Sequence, residues 1–197
     1  MMLFGATKAV AELGQPAVNA LQQFKSLVTR ECCDCGGFVV EATDGLCLAA
    51  FMEPAAAAIW ALRCQTNLCA HNWSPEVLAS PYFREVREYQ RIQRGRGQPG
   101  RRVTNVICRG PRIRTGISVG SVTAEVSSAT ARLSYRGKVM NRSARVASQA
   151  TDNQVCVYVC VHGWGAMRII APSQEAKMQF RGCGPSQRKI RVRSVRS

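Results

Sequence analysis

The sequence predicts an α+β domain, a mostly antiparallel sheet with helices packed on it. Three observations lead there. Apolar residues recur at helical spacing in separated stretches, short β-like apolar runs lie between and after them, and an Asp-Gly pair links two of those runs.

Along the chain, Val18, Leu21, Phe24, Leu27 and Val28 mark an amphipathic helix over Gln15 to Glu31, closed near Cys35-Gly36-Gly37. Residues 38–43 and 46–51 are short apolar runs on either side of Asp44-Gly45, a strong hairpin signal. Pro54 suits the first turn of the alanine-rich helix that follows, which runs to about Cys69. Residues 74–93 read as partly helical, anchored by Trp73, Tyr82 and Phe83. A flexible basic insertion occupies about 93–102, where Gly and Pro interrupt a run of arginines. Beyond it, 103–108, 113–119, 123–126 and 132–135 are β-like. Val139, Met140, Ala144, Val146 and Ala147 then mark a helix over 137–150, and 155–161 is a continuous apolar strand. A helical stretch is expected around 166–176, with closing strands near 177–181 and 189–195.

One domain spanning 1–197, with a basic tail, accommodates the chain. Hydrophobic residues make up 46%, enough for a core, and no run approaches the roughly 18 apolar residues of a membrane span. The first residues carry Lys8 and Glu12 and lack the apolar centre of a signal peptide. The expected location is cytoplasmic, or the cytosolic part of a larger signalling protein. The formal net charge of +15 favours polyanionic partners, concentrated in 91–102 and 181–196. Neither stretch has the interleaved aromatics of a single-strand nucleic-acid groove, so a nucleic-acid partner is disfavoured. Of ten cysteines, Cys32, Cys33 and Cys35 cluster, but no second pair completes a zinc spacing. Reduced structural thiols are expected.

Five segments, in order, resemble the class III purine-nucleotide cyclase catalytic domain. They are Gly36 to Phe51, the helix after Pro54 with Trp73-Ser74-Pro75-Glu76, Arg112 to Gly120, Tyr135 to Val146 with its Asn141 and Arg145, and Phe180-Arg181-Gly182. The resemblance covers about residue 15 to the end. It implies a ferredoxin-like α+β fold and conversion of GTP or ATP to a 3′,5′-cyclic nucleotide plus pyrophosphate in intracellular signalling. Sites of this family form between two protomers, so a homodimer or a heterodimer with another cyclase domain is implied.

By the same resemblance, Asn141 orients the ribose and Arg145 stabilises charge building on the phosphate, and their four-residue spacing puts both on one helical face. Glu41 and Ser134 fall at the two positions that read the purine edge. A carboxylate at Glu41 accepts from the N1 and N2 groups of guanine, which favours GTP. Arg181 stands where the family has a lysine directed at the nucleotide, keeping charge but not geometry. The implied cofactors are two Mg²⁺ or Mn²⁺ ions held by two carboxylates.

The departures are specific. The first metal carboxylate would fall at about Met2, so the family's first strand is read as missing or replaced, in an N-terminally truncated domain. The second, Asp44, precedes the hairpin glycine where the family has it following, although a turn tolerates such an offset. Three readings follow: a working cyclase domain, a catalytically incomplete cyclase-like partner that dimerises and regulates, and a basic nucleic-acid-binding domain. This chain alone is expected to be inactive.

Overall fold

The computed structural model describes residues 1–92, 101–126, 133–151, 153–161, 164–170 and 180–182. In chain order, strand β1 (Met2–Leu3) precedes helices α1 (Ala6–Leu13) and α2 (Gln15–Asp34). The hairpin β2 (Phe38–Thr43) and β3 (Leu46–Ala50) leads to α3 (Pro54–Ala70) and α4 (Pro75–Ala79). Then come β4 (Val86–Ile92), β5 (Arg101–Cys108), β6 (Ile113–Ser118), β7 (Thr123–Val126), β8 (Leu133–Arg136) and α5 (Lys138–Gln149). Strands β9 (Gln154–Val161), β10 (Trp164–Ile170) and β11 (Phe180–Gly182) follow.

Seven strands form one sheet in the order β11-β10-β9-β6-β1-β3-β2, antiparallel except for the parallel pair β6 and β9. Alternation along β6 decides the layers. Ile113, Thr115 and Ile117 are buried on one face, while Arg114, Gly116 and Ser118 occupy the other. Helices α2 and α3 cover the first face with Phe24, Val28, Trp60 and Leu68, and the Trp60 indole N–H donates to the Val28 carbonyl at 3.0 Å. Helix α5 covers the second, where Val146 and Ala150 bury Cys156.

Local chemistry sets the element ends. Helix α2 closes with Gly36 at φ 70 and a Gly37 N–H to Cys32 carbonyl bond of 2.8 Å, the six-to-one pairing of a glycine C-terminal cap. Pro54 begins α3, and the Ser74 hydroxyl accepts from the Val77 N–H in α4. Between β6 and β9, Asn153 takes φ 57, tolerable for asparagine. There it donates its N–H to Ile113 O (2.8 Å), and its side-chain oxygen accepts from the Ile113 N–H (3.1 Å).

The expected helix over Gln15 to Glu31, the hairpin, the alanine-rich helix and the helix over 137–150 are all present. Five points of the reading are corrected or extended. Residues 86–92, read as partly helical, are a strand, because Val86 to Ile92 pairs residue by residue with Arg101–Cys108 in a separate two-stranded ribbon. The basic insertion thus begins at the tip of this ribbon: 101–102 lie within β5, and 93–100 fall outside the described residues. Of the helix expected around 166–176, residues 166–170 instead belong to β10, which pairs with β9 from Trp164 opposite Val161 to Ile170 opposite Val155. Helix α1 was not anticipated, being only eight residues between two positive-φ glycines, Gly5 and Gly14. The first strand's place in the sheet is held by the two residues of β1. Residues 171–179 and the expected strand at 189–195 lie outside the described residues. Among the described residues no helix is long and apolar enough to cross a membrane.

The seat of α5 on the sheet is Gly116. A Cβ there would collide with the Ser143 carbonyl oxygen and the Ala147 N–H and come within 2.9 Å of Ala147 Cα. These are backbone atoms of α5 and cannot rotate away. Gly116→Ala is expected to lower unfolding free energy by about 1–3 kcal/mol, the usual cost of forced overpacking, measured by urea denaturation.

Candidate functional site

Helix α5 carries Lys138, Arg142 and Arg145 and no acidic residue. Its N-terminal end adds the positive pole of the helix dipole. Val146 and Ala147 bury its inner side. Arg142 Cζ lies over the Tyr158 ring of β9, 4.9 Å from its centroid, which holds one of the three cations against the sheet. Asn141 and Arg145 are exposed one turn apart, so the structure keeps the predicted pair together on an accessible stripe.

The other candidates are distributed. Glu41 is exposed in β2, the edge strand, opposite Leu48 and just after a bulge. Ser134 lies in β8 opposite Glu125. The β7–β8 hairpin reaches β2 through Tyr135, whose ring stacks at a tilt on Phe38 with centroids 5.7 Å apart. The two positions expected to read the base therefore sit on neighbouring elements. Arg181 lies in β11 opposite Met167, at the far edge of the sheet from Glu41. Asp44 is exposed in the β2–β3 turn, beside β1 and the start of α1. Among the described residues, Glu41, Asp44, Asn141 and Arg145 form no hydrogen bond or ion pair with one another through their side chains.

A two-metal centre needs paired carboxylates. Among the described residues no group of three or more His, Cys, Asp or Glu side chains could hold a metal ion. Asp44 has Met2, not an acid, on the neighbouring strand. Among the described residues that line the space around Asp44, it is the one carboxylate, where the implied metal pair needs two.

Between β3 and β6 lies an apolar cavity of about 210 Å³, roofed by Trp60 of α3 and floored by Met140 and Ala144 of α5. Sequence reasoning did not find it, since its lining comes from residues far apart in the chain. It also missed Glu31, which is buried in α2 and held by Arg63 (2.9 Å) and the Asn67 amide (2.8 Å). This set fixes α3 on α2 and is structural.

The comparisons with known proteins bear on the fold. An adenylate cyclase of Trypanosoma brucei, solved in its monomeric state, matches with a TM-score of 0.65 at 15% identity, over 92% of each chain. The dimeric guanylyl cyclase domain of the RhoGC fusion protein from the aquatic fungus Blastocladiella emersonii matches at 0.56 and 13% identity, over 80% of this chain and 75% of that one. These neighbours are class III adenylate/guanylate cyclase catalytic domains, and this chain has their fold. In sequence it resembles the adenylate cyclase of Schizosaccharomyces pombe, at 27% identity over 139 residues, or 71% of this chain and 7% of the length of that protein. No family model matches the chain.

Cys32, Cys33, Cys35, Cys47, Cys64, Cys69, Cys108 and Cys156 are free thiols. Burial pushes the Cys32 thiol up to about 12, with smaller contributions from neighbouring Cys47, Cys33 and Cys35. Since the thiolate is the reactive form, Cys32 is inert at pH 8, whereas Cys33 is exposed. Iodoacetamide at pH 8 is expected to label Cys33 in the folded chain and spare Cys32 until denaturant is added, as read by peptide mass mapping. Comparable labelling rates at the two sites would contradict the packing described.

Because Asn141 and Arg145 are exposed and make no recorded side-chain bond among the described residues, their alanine variants are expected to unfold within about 0.5 kcal/mol of the parent. Thermal and urea melts check this.

Proposed function

We propose that this chain is a purine-nucleotide cyclase domain that works as one half of a dimer. It lends Asn141 and Arg145 to a nucleoside triphosphate whose metal-binding carboxylates come from the partner chain. The observation that carries this reading is the contrast between the two half-sites. Helix α5 presents an accessible Asn/Arg pair among three cations and no acid, while Asp44 is the one carboxylate among the described residues lining its surroundings.

In the proposed reaction the ribose 3′-oxygen attacks the α-phosphorus, the bond from that phosphorus to the bridging oxygen breaks, and pyrophosphate leaves with the electron pair. The hydroxyl proton passes to water. Asn141 holds the ribose so that its 3′-oxygen is in line, and Arg145 faces the charge that grows on the α-phosphate oxygens. Glu41 accepts from the guanine N1 and N2 groups, with Ser134 on the neighbouring hairpin, and we assign GTP as the preferred substrate. Arg181 is assigned to the phosphates. Free, buried thiols support a reducing, cytosolic setting, by itself or within a larger signalling protein. The lone carboxylate favours a second reading, a cyclase-like partner that dimerises without turnover.

The test mixes this chain with a cyclase domain of proven activity whose own Asn-x-x-x-Arg pair has been replaced by alanine. Cyclic nucleotide is expected in the mixture and not from either protein alone. Arg145→Ala in this chain should lower the rate by roughly 10²–10³, the loss seen when one charge-stabilising donor is removed. Glu41→Lys should shift preference from GTP towards ATP. Product from this chain alone would overturn the half-site assignment, and no product from a confirmed heterodimer would establish the non-catalytic reading.

A further inference from the structure

The three thiols at the end of α2 are not equivalent. Cys32 is fully buried, Cys33 is exposed, and Cys35 is half-buried against the core that encloses Cys32. Side chains three apart on a helix are neighbours, whereas those one or two apart do not face each other. Within this cluster Cys32 and Cys35 are the pair that meets the condition. The backbone stays hydrogen-bonded to the end of the helix: the Cys35 N–H donates to Glu31 O at 3.1 Å, and the Gly36 N–H to Cys33 O at 2.9 Å. The Cys32 sulfur is turned towards that end, since a Cβ on Gly37 would come within 2.7 Å of it.

Helix α3 brings a cation to the same place. The Arg63 guanidinium donates through Nη1 to the Cys35 sulfur at 4.0 Å, while its Nε pairs with the buried Glu31 carboxylate at 2.9 Å. Glu31 thereby fixes the guanidinium beside the thiol. A fixed cation at a partly exposed sulfur faces the negative charge that the sulfur carries when it attacks an electrophile, and the charge on the atom that then departs.

We infer that Cys35 is a site of reversible oxidation by hydroperoxides, and that Cys32 resolves the oxidised sulfur into a disulfide. In the first step the Cys35 sulfur, as thiolate, attacks one oxygen of hydrogen peroxide. The O–O bond breaks, and hydroxide leaves and takes up the proton lost by the thiol, as water. Cys35 then carries a sulfenic acid, which condenses with a thiol. In the second step the Cys32 sulfur attacks the Cys35 sulfur, the S–O bond breaks, and the hydroxyl leaves with the Cys32 proton as a second water. Two thiols give up two electrons and one peroxide is reduced. Burial keeps peroxide from Cys32, so its reaction is confined to the neighbour one turn on. Helical neighbours three apart hold their Cβ atoms about 5–6 Å apart, and a disulfide needs about 3.5–4.5 Å. Closing the bridge therefore draws in the last turn of α2, next to the Gly36-Gly37 pair. A bridge under such tension is readily reduced, as suits thiols that rest in the reduced form. The site uses none of the nucleotide residues and does not depend on the half-site assignment.

The test treats the 197-residue chain with hydrogen peroxide, alkylates it in denaturant and maps the peptides by mass spectrometry with fragmentation. A bridge between Cys32 and Cys35, lighter by two hydrogens and reopened by dithiothreitol, is expected in the parent and in Cys33→Ser. Cys35→Ser should lose it. In Cys32→Ala the oxidation stops at the first step, and dimedone, which tags sulfenic acids, is expected to label Cys35. A bridge in the parent that joins Cys33, Cys47 or Cys64 instead would overturn the inference, as would a parent in which Cys32 and Cys35 stay alkylatable while Cys33 is oxidised. Those two outcomes are read on the unaltered chain and hold even if Cys32→Ala fails to fold. Dimedone on Cys33 and not on Cys35 in folded Cys32→Ala would also contradict it.

Discussion

The second face of the sheet depends on residue 116 having no side chain. Helix α5 lies so close to β6 that its own backbone, at Ser143 and Ala147, occupies the space a Cβ would need. Close approach without side chains gives little lateral freedom, because sliding would drive Ala147 into Arg114 or Ser118 on the same face of the strand. Val146, Ala150 and Cys156 then seal one flank, and Arg142 over Tyr158 secures it with a cation. The result is a helix fixed in height and rotation, and that fixes which of its residues face outward. Asn141 and Arg145 are held by the packing of residues they do not touch.

The two helical layers answer different requirements. On the α2 and α3 side the packing is deep: Phe24, Val28 and Leu68 are buried, and even a carboxylate, Glu31, is enclosed with its Arg63 and Asn67 partners. A buried charge is tolerable only when paired and hydrogen-bonded, and Glu31 is both. On the α5 side a single helix meets the sheet through small residues, and its polar face stays in solvent. The thick side supplies the core and the thin side presents chemistry. In the proposed half-site, the remaining walls and carboxylates around a nucleotide on the thin side come from the partner chain.

Much of this was legible in the sequence where the signal was local. The α2 periodicity, the Asp44-Gly45 turn, Pro54 and the Asn141/Arg145 spacing each depend on a few neighbouring residues, and each element is where the pattern put it. Failures came where tertiary pairing outvoted local pattern. Residues 86–92 are strand because 101–108 lie beside them, and 164–170 are strand because β9 offers a free edge. Most of the β4–β5 partners lie more than ten residues apart, whereas β9 ends at Val161 and β10 begins at Trp164, so there the local apolar pattern pointed to helix although the partner strand was close in sequence. The candidate site was legible only as a set of residues. That Glu41 and Arg181 occupy opposite sheet edges, and that Phe38 and Tyr135 join β2 to β8, are facts of strand order. Gly116 was visible only within a resembling motif, and its reason, a helix backbone pressed on it, is a contact across 27 residues to Ser143.

Asn141 and Arg145 share α5 with Met140 and Ala144, which line the apolar cavity between β3 and β6. Val146 and Ala150 pack on Cys156 of β9, and Ala147 rests on Gly116 of β6, so the helix is seated through its small residues. Packed interiors transmit changes because they have little room to absorb them. The direction in which Asn141 and Arg145 face is therefore set by the fit of the buried side of the helix to β6 and β9.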